Sequence, residues 1–206
     1  MKVTREMLAR QARLMGRSVK VLAKEPSLGR EFPRLVGTRA RSTMTLELPW
    51  LPFRLIDELE ERVGPGSHVF EYGGGGSTLW FLAQGATVVT VEHHPEWAAH
   101  LRSRVTSDRW TLLERSEADS YAAYVGAIEE YPDDTYDVVV VDGRERARCL
   151  TAALPKVRPG GLLIVDDVDR ERYQAAMAAT GWPRRDVVGF APAKPSLAYT
   201  AVLTRP

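Results

Sequence analysis

The chain has 206 residues, 44% of them hydrophobic and 27% charged, with a formal net charge of +1. That length supports one domain with a sizeable core, and so small a charge gives no global pull toward nucleic acid or membrane. A single cysteine, Cys149, excludes an internal disulfide framework; with no apolar run long enough to span a membrane and no signal-peptide-like start, the expectation is a soluble cytoplasmic protein.

Residues 1–45 read as a basic helical extension. Eleven lysines and arginines, from Lys2 to Arg41, face only Glu6, Glu25 and Glu31. Met7, Leu8, Leu14, Met15, Val19, Val21 and Leu22 recur at roughly helical spacing until Pro26, Gly29, Pro33 and Gly37 break the pattern. Such an arm can cap a substrate site, form a homodimer, meet an anionic partner, or be the solvated face of a packing helix. Residues 46–206 form the main domain. A helix is expected over 50–59, ended by Gly64-Pro65-Gly66. Strands over 68–72, 86–91, 110–114, 136–141 and 162–166 then alternate with helices over 77–84, 95–105, 119–130 and 145–157. Continuous β-branched runs such as Val138 to Val141 suit strands buried on both faces, and the alternation predicts a doubly wound, mostly parallel α/β sheet. Two short strands, near 186–190 and 199–203, follow around the proline-rich loop 191–196.

The stretch from Val69 to Phe81 organises the rest. A strand runs through Glu71 into Gly73-Gly74-Gly75-Gly76, and a helix starts at Ser77 or Thr78. Glycines allow a sharp strand-to-helix turn and a close approach of backbone to a ligand, and the N–H groups at the helix start can face it. About 20 residues on, Glu92 closes the next strand, where doubly wound folds hold ribose hydroxyls. Neither the nicotinamide fingerprint nor the lysine of a phosphate-binding loop is present. The stretch resembles the first motif of class I S-adenosylmethionine-dependent methyltransferases, with serine at the place of the last glycine: Glu71-x-Gly73-x-Gly75-x-Ser77. Tyr136 to Gly143 is similar to that family's fourth-strand motif. Leu154 to Asp167 resembles its L-x-P-G-G turn and fifth strand, and the two C-terminal strands suit an antiparallel sixth and seventh.

The resemblance implies a seven-stranded Rossmann-like fold and S-adenosylmethionine as cofactor. It sets Gly73, Gly75 and Ser77 against the methionine and ribose, Glu71 beneath the methionine amino end, and Glu92 on the ribose hydroxyls as a bidentate acceptor. His93 would lie over the adenine, with Ser116 and Glu117 near its amino group and Asp142 bordering the cofactor.

Asp142, Asp166 and Asp167 end neighbouring strands, and three close carboxylates need a cation, a proton or an arginine. One solution, similar to metal-dependent O-methyltransferases of the catechol and macrolide-sugar kinds, is a Mg²⁺ ion on these three residues, activating an acceptor hydroxyl. The other is metal-free: Asp142 or Asp167 acts as base or orients the acceptor, Arg144 neutralises the cluster or grips an anionic acceptor, and Arg170 is a second anchor. Trp50, Phe53, Trp80, Trp182 and Tyr199 either line an acceptor pocket or fill core and surface positions. The expected activity is O-methylation of a sugar, polyol or secondary metabolite. N-methylation, aminopropyl transfer and a non-catalytic interaction subunit are the alternatives. No Asn/Asp-Pro-Pro-Tyr/Phe signature or appended RNA-binding module favours nucleic acid, for which only the basic arm speaks.

Overall fold

The computed structural model describes residues 19–194 and 196–206. The arm's expected amphipathic helix therefore falls mostly outside the described residues; within them, 19–24 are helical. Seven strands, β1 (His68–Tyr72), β2 (Thr87–Glu92), β3 (Trp110–Glu114), β4 (Tyr136–Val141), β5 (Val157–Val165), β6 (Arg184–Gly189) and β7 (Ala198–Thr204), form one sheet in the order β3-β2-β1-β4-β5-β7-β6. Strands β1 to β5 run parallel, and β7 is antiparallel to both β5 and β6. Strand order reverses between β1 and β4, so a crevice opens beyond their carboxyl ends.

Strand periodicity sorts the core onto two faces. Phe70, Tyr72, Val139, Val141 and Leu163 belong to one apolar cluster, while Val69, Val138, Val140, Leu162 and Ile164 belong to the other. Each such buried side chain contributes about 1.5–3 kcal/mol of burial free energy. A charge at Val140 would have to sit where the chain is 3% exposed.

Several boundaries differ from the sequence reading for identifiable reasons. Pro26 and Pro33 begin short helices (Pro26–Glu31, 3-10; Phe32–Thr38, α) rather than ending one, because proline lacks only an N–H that a first turn leaves unused. The helix expected from residue 50 spans Phe53–Arg62, with Pro52 at its N-cap. Strand β5 runs back through the Pro-Gly-Gly turn, with a register shift against β4 and Gly160 at φ +77°. The helix expected over 119–130 is broken: Asp119, Ser120 and Tyr121 have left-handed backbone, and residues 127–130 are a 3-10 turn.

The described part of the arm packs on the domain. Leu28, Leu35 and Met44 are buried, Leu35 within the same cluster as Phe53 and Phe81. Arg34 clamps Asp57 with bonds of 2.9 and 2.7 Å and lies over the Phe53 ring, and Arg54 donates to Glu25 and Glu31 at 3.0 and 3.1 Å. Exposed pairs of this kind stabilise by about 0–1 kcal/mol each, so the buried side chains do most of the holding. No described helix is long and apolar enough to cross a membrane.

Candidate active site

A crevice of about 1080 Å³ lies beyond the ends of β1, β2 and β4. The glycine turn forms one wall. Gly73 has φ +90°, and a Cβ there would lie 3.4 Å from the Gly143 Cα, so two glycine backbones pass close together at the switch point. The Gly75 N–H donates to Thr78 Oγ1 at 3.1 Å, and that hydroxyl donates to Glu71 Oε2 at 2.6 Å. Thr90 Oγ1 donates to the same oxygen at 3.2 Å. Glu71 thus fastens the turn to β1 and β2. It is fully buried behind the turn and is not among the residues that line the crevice. Burial pushes its carboxyl up to about 7, against the hydroxyls of Ser77, Thr78 and Thr90, and Oε1 has no partner.

Gly75 faces the opening: a Cβ there would meet nothing within 4 Å. Gly76 is opposite in character, since its Cβ would lie 2.3 Å from the Thr43 carbonyl oxygen and 2.4 Å from that of Leu48. The helix Gly76–Ala83 therefore starts tight against the segment 43–48.

At the end of β2, Glu92 is 4% exposed and lines the crevice. Its Oε1 accepts the N–H groups of His93 and His94, both at 2.9 Å, and Oε2 is the oxygen left without these donors. The His93 Nδ1 lies 3.0 Å from the same Oε1 without hydrogen-bond geometry, and its ring rests against Tyr121 and Tyr124. Trp97 donates from Nε1 to the Gly74 carbonyl at 2.8 Å, closing this wall.

The opposite wall holds the three aspartates, and cationic side chains already engage them. Arg146, 9% exposed, donates to Asp142 Oδ1 at 2.8 Å and to the Asp142, Gly143 and Asp166 carbonyls. Arg170 donates to Asp167 Oδ2 at 2.6 Å. Lys194 lies 3.6 Å from Asp166 Oδ2 and 3.4 Å from Asp167 Oδ1, and Thr200 donates to Asp166 Oδ1 at 2.7 Å. Burial and then Asp166 raise the Asp142 carboxyl, opposed by Arg146, although a third of its side chain meets solvent. Burial would raise Asp167 too, but Lys194, Arg146 and Arg170 outweigh it and hold that carboxyl below the usual range. Among the described residues no three His, Cys, Asp or Glu side chains converge on a metal position. Asp142, Asp166 and Asp167, the set expected from sequence to hold Mg²⁺, form an ion-paired cluster in this structure. Its compensating cations are Arg146, Arg170 and Lys194, not Arg144.

Of the residues singled out from sequence, Gly73, Gly75, Ser77, Glu92, His93, Asp142, Arg144, Arg170 and Trp50 line the crevice together. Ser116 and Glu117 do not: both are exposed and tied to their own loop, Ser116 Oγ accepting from the Ala118 N–H and Glu117 from the Tyr121 hydroxyl. Phe53 and Trp80 are core residues. Sequence reasoning set Arg146, Arg172 and Tyr173 beside the acidic strand ends without a role of their own, and passed over Lys194 and Trp97, which come to the site only through the fold.

A family model described as a methyltransferase domain matches residues 70–168. Among solved structures, the chain is similar to precorrin-6y C5,15-methyltransferase from Geobacter metallireducens GS-15, at 12% identity and a TM-score of 0.55 over 74% of this chain and 87% of that one. It is similar to an rRNA methylase from Streptococcus thermophilus at 12% identity and a TM-score of 0.53, over 74% and 95%. A third is 1,6-didemethyltoxoflavin-N1-methyltransferase from Burkholderia thailandensis, solved with its namesake compound and S-adenosylhomocysteine, at 13% identity and a TM-score of 0.52 over 100% and 93%. No curated protein matches the sequence. At such identities these structures speak to fold and leave the acceptor open.

Proposed function

From the premise that the chain belongs to the class I S-adenosylmethionine-dependent methyltransferases, we propose that it methylates a hydroxyl of a small molecule such as a sugar, polyol or secondary metabolite. The observation that carries this reading is one crevice with two unlike sets of residues. The glycine turn, Glu92 and His93 line it together with Asp142, Arg144, Trp50 and Tyr173.

When bound, S-adenosylmethionine supplies a methyl group already activated by a sulfonium. The open side of Gly75 gives its methionine and ribose room, and Glu92 Oε2 is the acceptor for ribose hydroxyls. The His93 ring, held by Tyr121 and Tyr124, offers the adenine a flat neighbour. Asp142 stands across the crevice with Arg146 fixing its Oδ1 at 2.8 Å. It would orient the acceptor hydroxyl for in-line attack and take its proton as the O–C bond forms and the methyl–sulfur bond breaks, the sulfur leaving as a neutral thioether. Alignment and deprotonation are what such a transfer demands of side chains. An amine acceptor is the second reading, because a carboxylate orients an N–H as readily as an O–H. The donor set at Asp142, Asp166 and Asp167 does not fit Mg²⁺, and no step depends on it.

Calorimetric titration with S-adenosylhomocysteine tests the cofactor side. Glu92→Ala should weaken binding about tenfold or more, the cost of losing a charged hydrogen-bond acceptor. Unchanged affinity in that variant would defeat the assignment. Transfer of a labelled methyl group to hydroxylated against amino acceptors then separates the two chemistries.

A further inference from the structure

The acceptor side of the crevice has more positive charge than its own carboxylates consume. Asp142 pairs with Arg146, Asp166 with Lys194 and Asp167 with Arg170. Glu145, which also lines the crevice, lies 3.6 Å from Arg148, which does not line it. Arg144 and Arg172 are left over. Both line the crevice, and neither pairs with a carboxylate among the described residues.

Arg172 is nevertheless held in place. Its guanidinium lies 4.8 Å from the centre of the Tyr173 ring and donates to the Tyr173 hydroxyl at 2.6 Å. A guanidinium stacked in this way keeps further donors free in a fixed plane, the geometry that carboxylates and phosphates match. The start of the helix Arg146–Ala153 lines the same wall, and no side chain caps it, so its N–H dipoles add positive potential there. Trp50 also lines the crevice; the Lys194 ammonium lies 5.6 Å from the centre of its ring, yet the residue is 48% exposed, which leaves indole surface that a ring can cover.

We propose that the methyl acceptor is an anion with a ring body. Its carboxylate or phosphate sits between Arg144 and Arg172, and its ring lies against Trp50. This rests on the methyltransferase reading and narrows its substrate class. Neutral sugars and polyols would leave two guanidiniums facing an otherwise balanced wall.

The test uses the full chain saturated with S-adenosylhomocysteine and titrates it with phenyl phosphate, benzoate and phenol. At least one of the two anions should bind about tenfold more tightly than phenol, the margin that one charge-assisted hydrogen bond supplies. Whichever anion binds identifies the group as phosphate or carboxylate. Arg144→Gln and Arg172→Gln should each reduce that preference while leaving S-adenosylhomocysteine affinity unchanged, and Trp50→Leu should weaken phenol and the anions alike. Phenol binding as well as both anions, or anion affinity untouched by both arginine variants, would overturn the inference while the cofactor reading stands. Failure of the chain to bind S-adenosylhomocysteine at the outset would remove the reading beneath it.

Discussion

Replacing Glu71 with glutamine should change how stability depends on pH. The carboxyl is fully buried, its Oε1 has no partner, and burial raises its pKa from 4.5 to about 7. The native state therefore keeps the proton through a window in which the unfolded chain has released it. Stability from this group is complete below pH 4.5 and is lost as pH rises toward 7. The gap between the two values corresponds to about 3 kcal/mol. Glutamine has no such titration, and its amide keeps an acceptor for the Thr78 hydroxyl. Its NH₂ group would meet no partner at the Oε1 position, a constant cost of about 1–3 kcal/mol that is independent of pH. Urea unfolding of both proteins from pH 5 to pH 8 separates the two effects. Glu71→Gln should be the less stable protein at pH 5 and should recover about 2–3 kcal/mol relative to the parent by pH 8. A difference that stays flat across this range would show that Glu71 is ionised throughout and that the burial argument fails.

Four further outcomes follow from the crevice. Gly76→Ala forces a methyl group into the Thr43 and Leu48 carbonyls and should destabilise by about 2 kcal/mol or more, read as a lower melting temperature. Gly75→Ala has open space around it, so stability should change by about 0.5 kcal/mol or less while S-adenosylhomocysteine affinity falls; unchanged affinity would put the cofactor elsewhere. Arg146→Met removes the cation that ties Asp142 to the Asp166 carbonyl and should cost about 3 kcal/mol in urea unfolding, since it leaves a half-buried carboxylate uncompensated. Stripping with EDTA, or adding Mg²⁺, should leave both cofactor affinity and methyl transfer unchanged, because Arg146, Arg170 and Lys194 already engage the aspartates; reproducible stimulation by Mg²⁺ would refute that account.

The sheet was legible in the sequence because its cause is local. Runs such as Val138 to Val141 have no alternative to a strand buried on both faces, and glycines between a strand and a helix-cap residue leave few conformations open. Glu92 was legible for the same reason, as the acidic residue ending the strand after the turn. Glu71 was recognisable as an acid, but not its use: strand alternation points it away from Phe70 and Tyr72 toward Thr78 and Thr90, behind the turn. Ser116 and Glu117 lie outside the crevice lining, in a loop where the left-handed backbone at Asp119 to Tyr121 lets the Tyr121 hydroxyl donate to Glu117. Of the cations of the acidic cluster, Arg170 was legible as an anchor, but the roles of Arg146 and Lys194 were not. Lys194 and Arg146 lie 48 positions apart in a chain of 206 residues, in a proline-rich loop and at a helix start, and only the β5–β7 pairing brings them to the same carboxylates.

The contact between Gly76 and the carbonyls of Thr43 and Leu48 bears on how this enzyme can be re-engineered. Thr43 and Trp50 line the crevice, and the segment that carries them is seated directly on the first turn of the helix Gly76–Ala83. A chimera that exchanges residues 26–52 for those of another methyltransferase would thus exchange part of the floor on which the glycine turn rests. Such a graft must bring a main chain that clears residue 76 by the same narrow margin, or its new selectivity will arrive together with weakened cofactor binding.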